Sequence, residues 1–232
     1  MTSTCRNIRI HCFFEQSGTF KKEAQELGCE SWDYDIKNDF GKTDYVCDLF
    51  KEIEEEYKGG RTTMFDFVKH DDYVLAFFPC IRFEKLIIWS FTGQAKQQKN
   101  WSLEKKLEYS MKLHDELNRY YNLISKLVLI ALRKGFKLII ENPYHKEHYL
   151  TRYWPLLPKF IEKDRHRYGD YYTKPTQFFF INCEPRFNIL LEPERIYDRK
   201  KVLDQTQRDK SMISLEYANR FLREMVLPKE EN

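Results

Sequence analysis

The apolar stretches of this chain run on where a half-exposed strand would alternate. "NIRIHCFF" (7–14) alternates briefly and then turns apolar, while "DYVLAFFPC" (72–80), "FKLIIENPYH" (136–145) and "TQFFFINC" (176–183) are apolar along most of their length. A strand with one wet face places polar residues at every second position, so runs of this kind need cover on both faces. Between them, "GTFKKEAQELG" reads as a short helix from Gly18, with Gly28 placed to end it, and "KEIEEEYKGG" as an acidic helix. "CESWDYDI" reads as a second strand ending at Asp35, and "DYVCDLF" (44–50) as a short third strand or loop. The order strand–helix–strand–strand–helix–strand predicts an α/β fold: a mostly parallel central sheet with helices on both faces.

The clearest helix spans Ser102 to Lys134. Ser102 suits the cap, Glu104 the first turn and Gly135 the stop. Leu117, Tyr121, Ile124, Val128 and Ala131 recur at spacings that put them on one face. Pro143 halts the strand before it, and "SLEYANRFLREMVL" reads as a final amphipathic helix. With no internal repeat, low-complexity tract or linker, residues 1–232 read as one domain.

Composition narrows the function classes. Charged residues at 32% and apolar ones at 42% are ordinary for a globular protein, and aromatics at 16% supply burial and some stacking surfaces. A net charge of +3 does not announce a nucleic-acid binder. Arg195, Arg199, Lys200, Lys201, Arg208 and Lys210 cluster, either as a solvated face or as a phosphate-contacting one. The six cysteines are scattered, with no CxxC and no zinc-ligand spacing, which argues against a structural zinc site and for a reducing cytoplasm. The start "MTSTCRNIRI" has no apolar signal core, and no stretch approaches the length of a membrane span.

In open α/β sheets ligands bind beyond the carboxyl ends of the strands. There stand "FFEQSGTF" after the first strand, Asp35 after the second, Asp48 near the third, "FPC" after the fourth and "ENP" after the fifth. Carboxylates after successive strands suit a ribose-bearing ligand, because each can accept from vicinal hydroxyls. Cys80 taken alone reads first as a buried, inert thiol, with a nucleophile as the alternative that the rest of the chain must support.

The series "FFEQSGTF", "WDYDI", "CDLF", "FFPC", "IIENP", "YGDYYTKPTQFFF" and "QRDKSMISLEYANRFL" resembles the cytosine-C5 DNA methyltransferases, in the short form common in bacteriophage genomes. The resemblance runs from about residue 8 to residue 226. It implies a Rossmann-like class I methyltransferase fold and methyl transfer from S-adenosylmethionine to cytosine in DNA. Cys80 would attack cytosine C6 and make C5 enamine-like, with Glu141 holding the base edge at N3 and N4. The base would leave the duplex stack to reach the thiol. Phe14 would lie against the adenine, with Ser17, Gly18 and Thr19 near the methionine moiety and Pro79 beside the cofactor. Asp35 would take the ribose hydroxyls and Asp48 the adenine amino group. Lys174 and Arg208 would contact base or phosphate.

Three departures from the family pattern stand beside this. Gln16 replaces the first glycine of an FxGxG loop, with Glu15 next to it. No arginine occurs in "YGDYYTKPTQFFFI", where the long family form carries the arginines of "PQRRxR". Only about residues 183–206 occupy the place of the target-recognition domain, so specificity would be low or supplied by a protein partner. The alternative reading is a catalytically decayed methyltransferase fold that binds nucleic acid or a host protein. A third keeps the chemistry but shifts it to RNA or a free nucleotide.

Overall fold

The computed structural model describes residues 7–60, 62–85, 87–190 and 212–229. The chain runs β1 (Arg9–Phe13), α1 (Thr19–Glu26), β2 (Glu30–Asp35), β3 (Tyr45–Val46), α2 (Leu49–Tyr57) and β4 (Tyr73–Ala76). It continues through α3 (Ile87–Phe91), α4 (Leu103–Lys134), β5 (Lys137–Pro143), α5 (Tyr149–Tyr153), β6 (Phe160–Glu162), β7 (Thr176–Ile181) and α6 (Leu215–Phe221). A π-helical turn, Leu222–Val226, extends α6.

One seven-stranded sheet forms in the order β3-β2-β1-β4-β5-β7-β6. The first five strands are parallel, and β7 pairs antiparallel with both β5 and β6. The apolar runs are covered on both sides, as expected. Phe13, Val74, Ile140 and Phe179 pack in one core with α2 and α4, while Cys12, Leu75, Ile139 and Phe180 pack in another with α1 and α6. Two-residue β3 is the weak element anticipated at 44–50. Strand β6, α3 and α5 have no counterpart in the sequence reading, because each is too short to show a period.

Helix α4 is held at both ends by the residues expected. Ser102 Oγ accepts from Lys105 N at 3.3 Å, and Gly135 closes it at φ 78°. The chain lays β2 and β3 on one side of β1 and then crosses to β4 on the other. A crevice therefore opens between the carboxyl ends of β1 and β4, where the strand order reverses.

Two buried histidines set an acid limit on this fold. His11 lies between the Tyr34 hydroxyl (2.9 Å) and Asp72 Oδ2 (3.1 Å), and Arg9 also pairs with Asp72. Burial lowers its pKa to about 4 against the opposing pull of Asp72, and burial likewise takes His148 to about 4. Between the unfolded value of 6.5 and pH 4 the unfolded chain binds protons that the native rings refuse, so stability falls as pH falls through that window. Each ring contributes about 3 kcal/mol over the whole window. Buried Glu15 and Asp33, whose pKa values burial raises, slope the other way, so the test compares two chains. In urea unfolding at pH 7 and 4.5, His11→Asn is expected to lose less stability between the two than the native chain. Equal losses would refute this.

Candidate functional site

A cleft of about 230 Å³ opens at the carboxyl ends of β1, β4 and β5. Phe14, Ser17, Asp35, Pro79, Cys80, Glu141 and Lys174 all line it, although they lie far apart in sequence. A second cleft of about 370 Å³ shares Ser17, Phe40, Met212 and Ile213 with the first and adds Gly18 and Thr19.

The turn after β1 is built tightly. Phe14 adopts a left-handed φ of 60°, an unusual state for a bulky residue, held by its N–H donating to Tyr34 O at 2.8 Å. Its ring packs on Phe78 and Phe50, so it belongs both to the core and to the cleft wall. Gly18 caps α1 at φ 68° and offers no side-chain acceptor. Glu15 supplies one: its buried Oε1 accepts from Phe20 N at 3.0 Å and from Ser17 Oγ at 2.9 Å. A carboxylate thus already satisfies the positive end of α1. Burial pushes the Glu15 pKa up, and these hydrogen bonds pull it part of the way back. Gln16, where the resemblance called for a glycine, accepts from Asp39 N at 3.2 Å and ties the turn to the segment after β2.

Asp35 closes β2 with its carboxylate in the cleft, where burial raises its pKa. Its Oδ1 accepts from Lys37 N at 2.8 Å. Asp48, expected beside the adenine, stands apart from the cleft lining: its Oδ1 accepts from Phe50 N and Lys51 N and caps α2. The sequence signal at that position, an acidic residue before an apolar–acidic run, is a helix start.

Strands β4 and β5 bring Cys80 and Glu141 to one wall. Asn142 is fully buried, and its amide donates to Phe78 O at 2.9 Å and to Glu141 O at 2.8 Å. The loop carrying Pro79 and Cys80 is thereby tied to the end of β5. Cys80 is half-buried and open to the cleft, and its Sγ donates to Glu84 Oε1 at 2.9 Å. Burial first, and then that hydrogen bond, push the thiol well above its usual pKa, while the Lys174 ammonium pulls it down.

Glu141 is 8% exposed and its Oε1 accepts from Arg165 Nη1 at 3.4 Å. Arg165 is wholly buried, pairs also with Asp170, and lies over the Tyr217 ring at 4.7 Å. Sequence reasoning missed Arg165, because it looked for an arginine after "YG" and this one precedes it in "DRHRYGD". Lys174 is half-buried, with no ion pair among the described residues. Arg208, the basic cluster from Arg195 to Lys210 and most of the 183–206 stretch lie outside the described residues.

Among the described residues no group of three or more His, Cys, Asp or Glu side chains could hold a metal ion, and no helix is long and apolar enough to cross a membrane. No protein-family model and no curated protein matches the chain, so its architecture and the contents of this cleft carry the functional reading.

Proposed function

We propose that the protein is an S-adenosylmethionine-dependent methyltransferase of the class I fold that acts on C5 of cytosine in DNA, with Cys80 as nucleophile. One observation carries this reading. Cys80, from the loop after β4, and Glu141, from β5, line the same cleft as Phe14 and Asp35, at the point where the strand order reverses.

The cleft's chemistry fits a nucleoside-bearing cofactor. Phe14, Phe40, Phe77 and Phe78 offer aromatic walls, and Asp35 offers a carboxylate toward vicinal hydroxyls. The adjoining cleft at Ser17, Gly18 and Thr19 gives room for a tail. When bound, S-adenosylmethionine supplies an electrophilic methyl group on a sulfonium. The chain's own part is to raise the nucleophilicity of C5. Cys80 adds to C6, and Glu141, oriented by Arg165, hydrogen-bonds the N3 and N4 edge of the base. Lys174, which lines the same cleft as Cys80, suits the oxygen or phosphate of the same nucleotide.

A second reading, a fold that binds nucleic acid or a protein without catalysis, is favoured by Glu15. Its carboxylate occupies the α1 N-terminus, where an anionic tail would otherwise gain from the helix. Calorimetric titration with S-adenosylmethionine and S-adenosylhomocysteine separates the two. The expected result is saturable binding that weakens about tenfold or more in Asp35→Ala, the loss of a charge-assisted hydrogen bond. A folded protein that binds neither ligand would overturn the enzyme reading.

A further inference from the structure

The turn that follows Cys80 distributes its charges unevenly. Arg82 pairs with Glu116 and Lys85 with Glu147, each reaching away to another element. Glu84, half-buried between them, has no cationic partner among the described residues, and its Oε1 takes the Cys80 thiol at 2.9 Å. The turn is fixed by Phe83 N donating to Cys80 O at 2.7 Å, which sets the spacing of the two side chains. The other ionisable groups acting on the sulfur are Lys174 and, more weakly, Glu141.

We propose that Glu84 is the proton acceptor for Cys80: it holds the sulfur as a thiol in the resting protein and takes its proton when the sulfur bonds to substrate carbon. This rests on the reading of Cys80 as a nucleophile toward C6 of a pyrimidine. In the addition the S–H proton passes to Glu84 Oε1, a sulfur lone pair forms the S–C6 bond, and the C5=C6 electron pair moves onto C5. In the elimination that follows methylation, a water molecule removes the C5 proton, its C–H pair restores the C5=C6 bond, and the sulfur departs with the C–S pair and recovers its proton from Glu84. A thiol held this way resists adventitious alkylation until substrate is in place, because the thiolate is the reactive form. The same carboxylate then removes the need for hydroxide in the addition.

Two readouts test it on the full chain. The first is the rate of iodoacetamide labelling of Cys80, followed by peptide mass spectrometry from about pH 6 to 11. Glu84→Gln is expected to label about tenfold faster at pH 8, its profile displaced about one unit downward, since a neutral amide no longer opposes the thiolate. Glu84→Asp, one methylene shorter, should fall between, and Lys174→Met should label more slowly. Unlabelled Cys12, which is fully buried, reports that each variant remains folded. A Glu84→Gln profile that superimposes on the native one overturns the thiol-holding role, and if that variant unfolds, a Glu84→Asp profile matching the native one does the same.

The second readout is covalent capture by a 5-fluorocytosine oligonucleotide in the presence of S-adenosylmethionine. Glu84→Gln is expected to form the adduct about tenfold more slowly at pH 7 and to gain on the native chain as pH rises. Adduct formation at the native rate overturns the proton-acceptor role. If the native chain itself forms no adduct, the nucleophile reading and the proton-acceptor role both fall, and the labelling profile alone decides whether Glu84 holds the thiol.

Discussion

Arg165→Ala is expected to lose about 3–5 kcal/mol of folding stability, the cost of breaking a buried ion pair and stranding its partners. The arginine is wholly buried, with Glu141, Asp170 and the face of Tyr217 around its guanidinium. Removing it leaves two buried carboxylates with no countercharge and an aromatic face with no cation. The attraction itself is the smaller part, since desolvation of both partners offsets most of it. A triple variant, Arg165→Met with Glu141→Gln and Asp170→Asn, should therefore recover much of the loss while abolishing any activity that needs Glu141. Urea unfolding of both chains measures this, and a loss below about 1 kcal/mol in Arg165→Ala would refute it.

Asn142→Ala is expected to separate stability from function. The amide bridges the loop before Cys80 and the strand that carries Glu141, through Phe78 O and Glu141 O. Losing it leaves a buried carbonyl unsatisfied, which costs about 1–3 kcal/mol. On the proposed methyl transfer the effect is larger, because a displacement of about 1 Å between reacting groups costs on the order of 100-fold in rate. Turnover should thus fall about 100-fold in Asn142→Ala. Cofactor affinity should fall much less than turnover, because the amide reaches the cofactor wall only through the backbone of Phe78, whose ring packs on Phe14. Unchanged turnover would show that the two strand ends keep their spacing without the amide.

The layered sheet was legible because β1, β4, β5 and β7 need apolar cover on both faces, and a residue pattern records that need directly. The cleft was legible at strand ends for the same reason, and Phe14, Asp35, Pro79, Cys80, Glu141 and Lys174 do meet there. The sequence was silent wherever a side chain's partner is remote. Nothing at Arg165 points to Glu141, 24 residues back and across an antiparallel pair. Glu84 sits in a short irregular turn with no period to reveal its direction. Asp48 lies outside the cleft lining and caps α2, since a carboxylate before a helix serves its own N–H groups as readily as a ligand. Glu15 and Gln16 stood out as departures from a pattern, and only packing shows what each holds: one the start of α1, the other the segment after β2.

The C-terminal helix has a bearing on the order in which the protein comes together. Helix α6 meets α1 through Phe221 on Phe20 and through Asn219 on Glu23, and it presents Tyr217 to Arg165. Ser214 docks on Gly169 and Asp170, fixing the segment that holds Arg165 in place. A nascent chain that has exposed everything up to β7 has its sheet strands, but on one face only the part of the cover that α1 supplies, and no clamp beneath Glu141. Its apolar strands would stay half-uncovered until residues 214–226 arrive, the interval in which a chaperone would have most to bind. The wall that carries Glu141 would then mature in the docking step that joins α6 to α1.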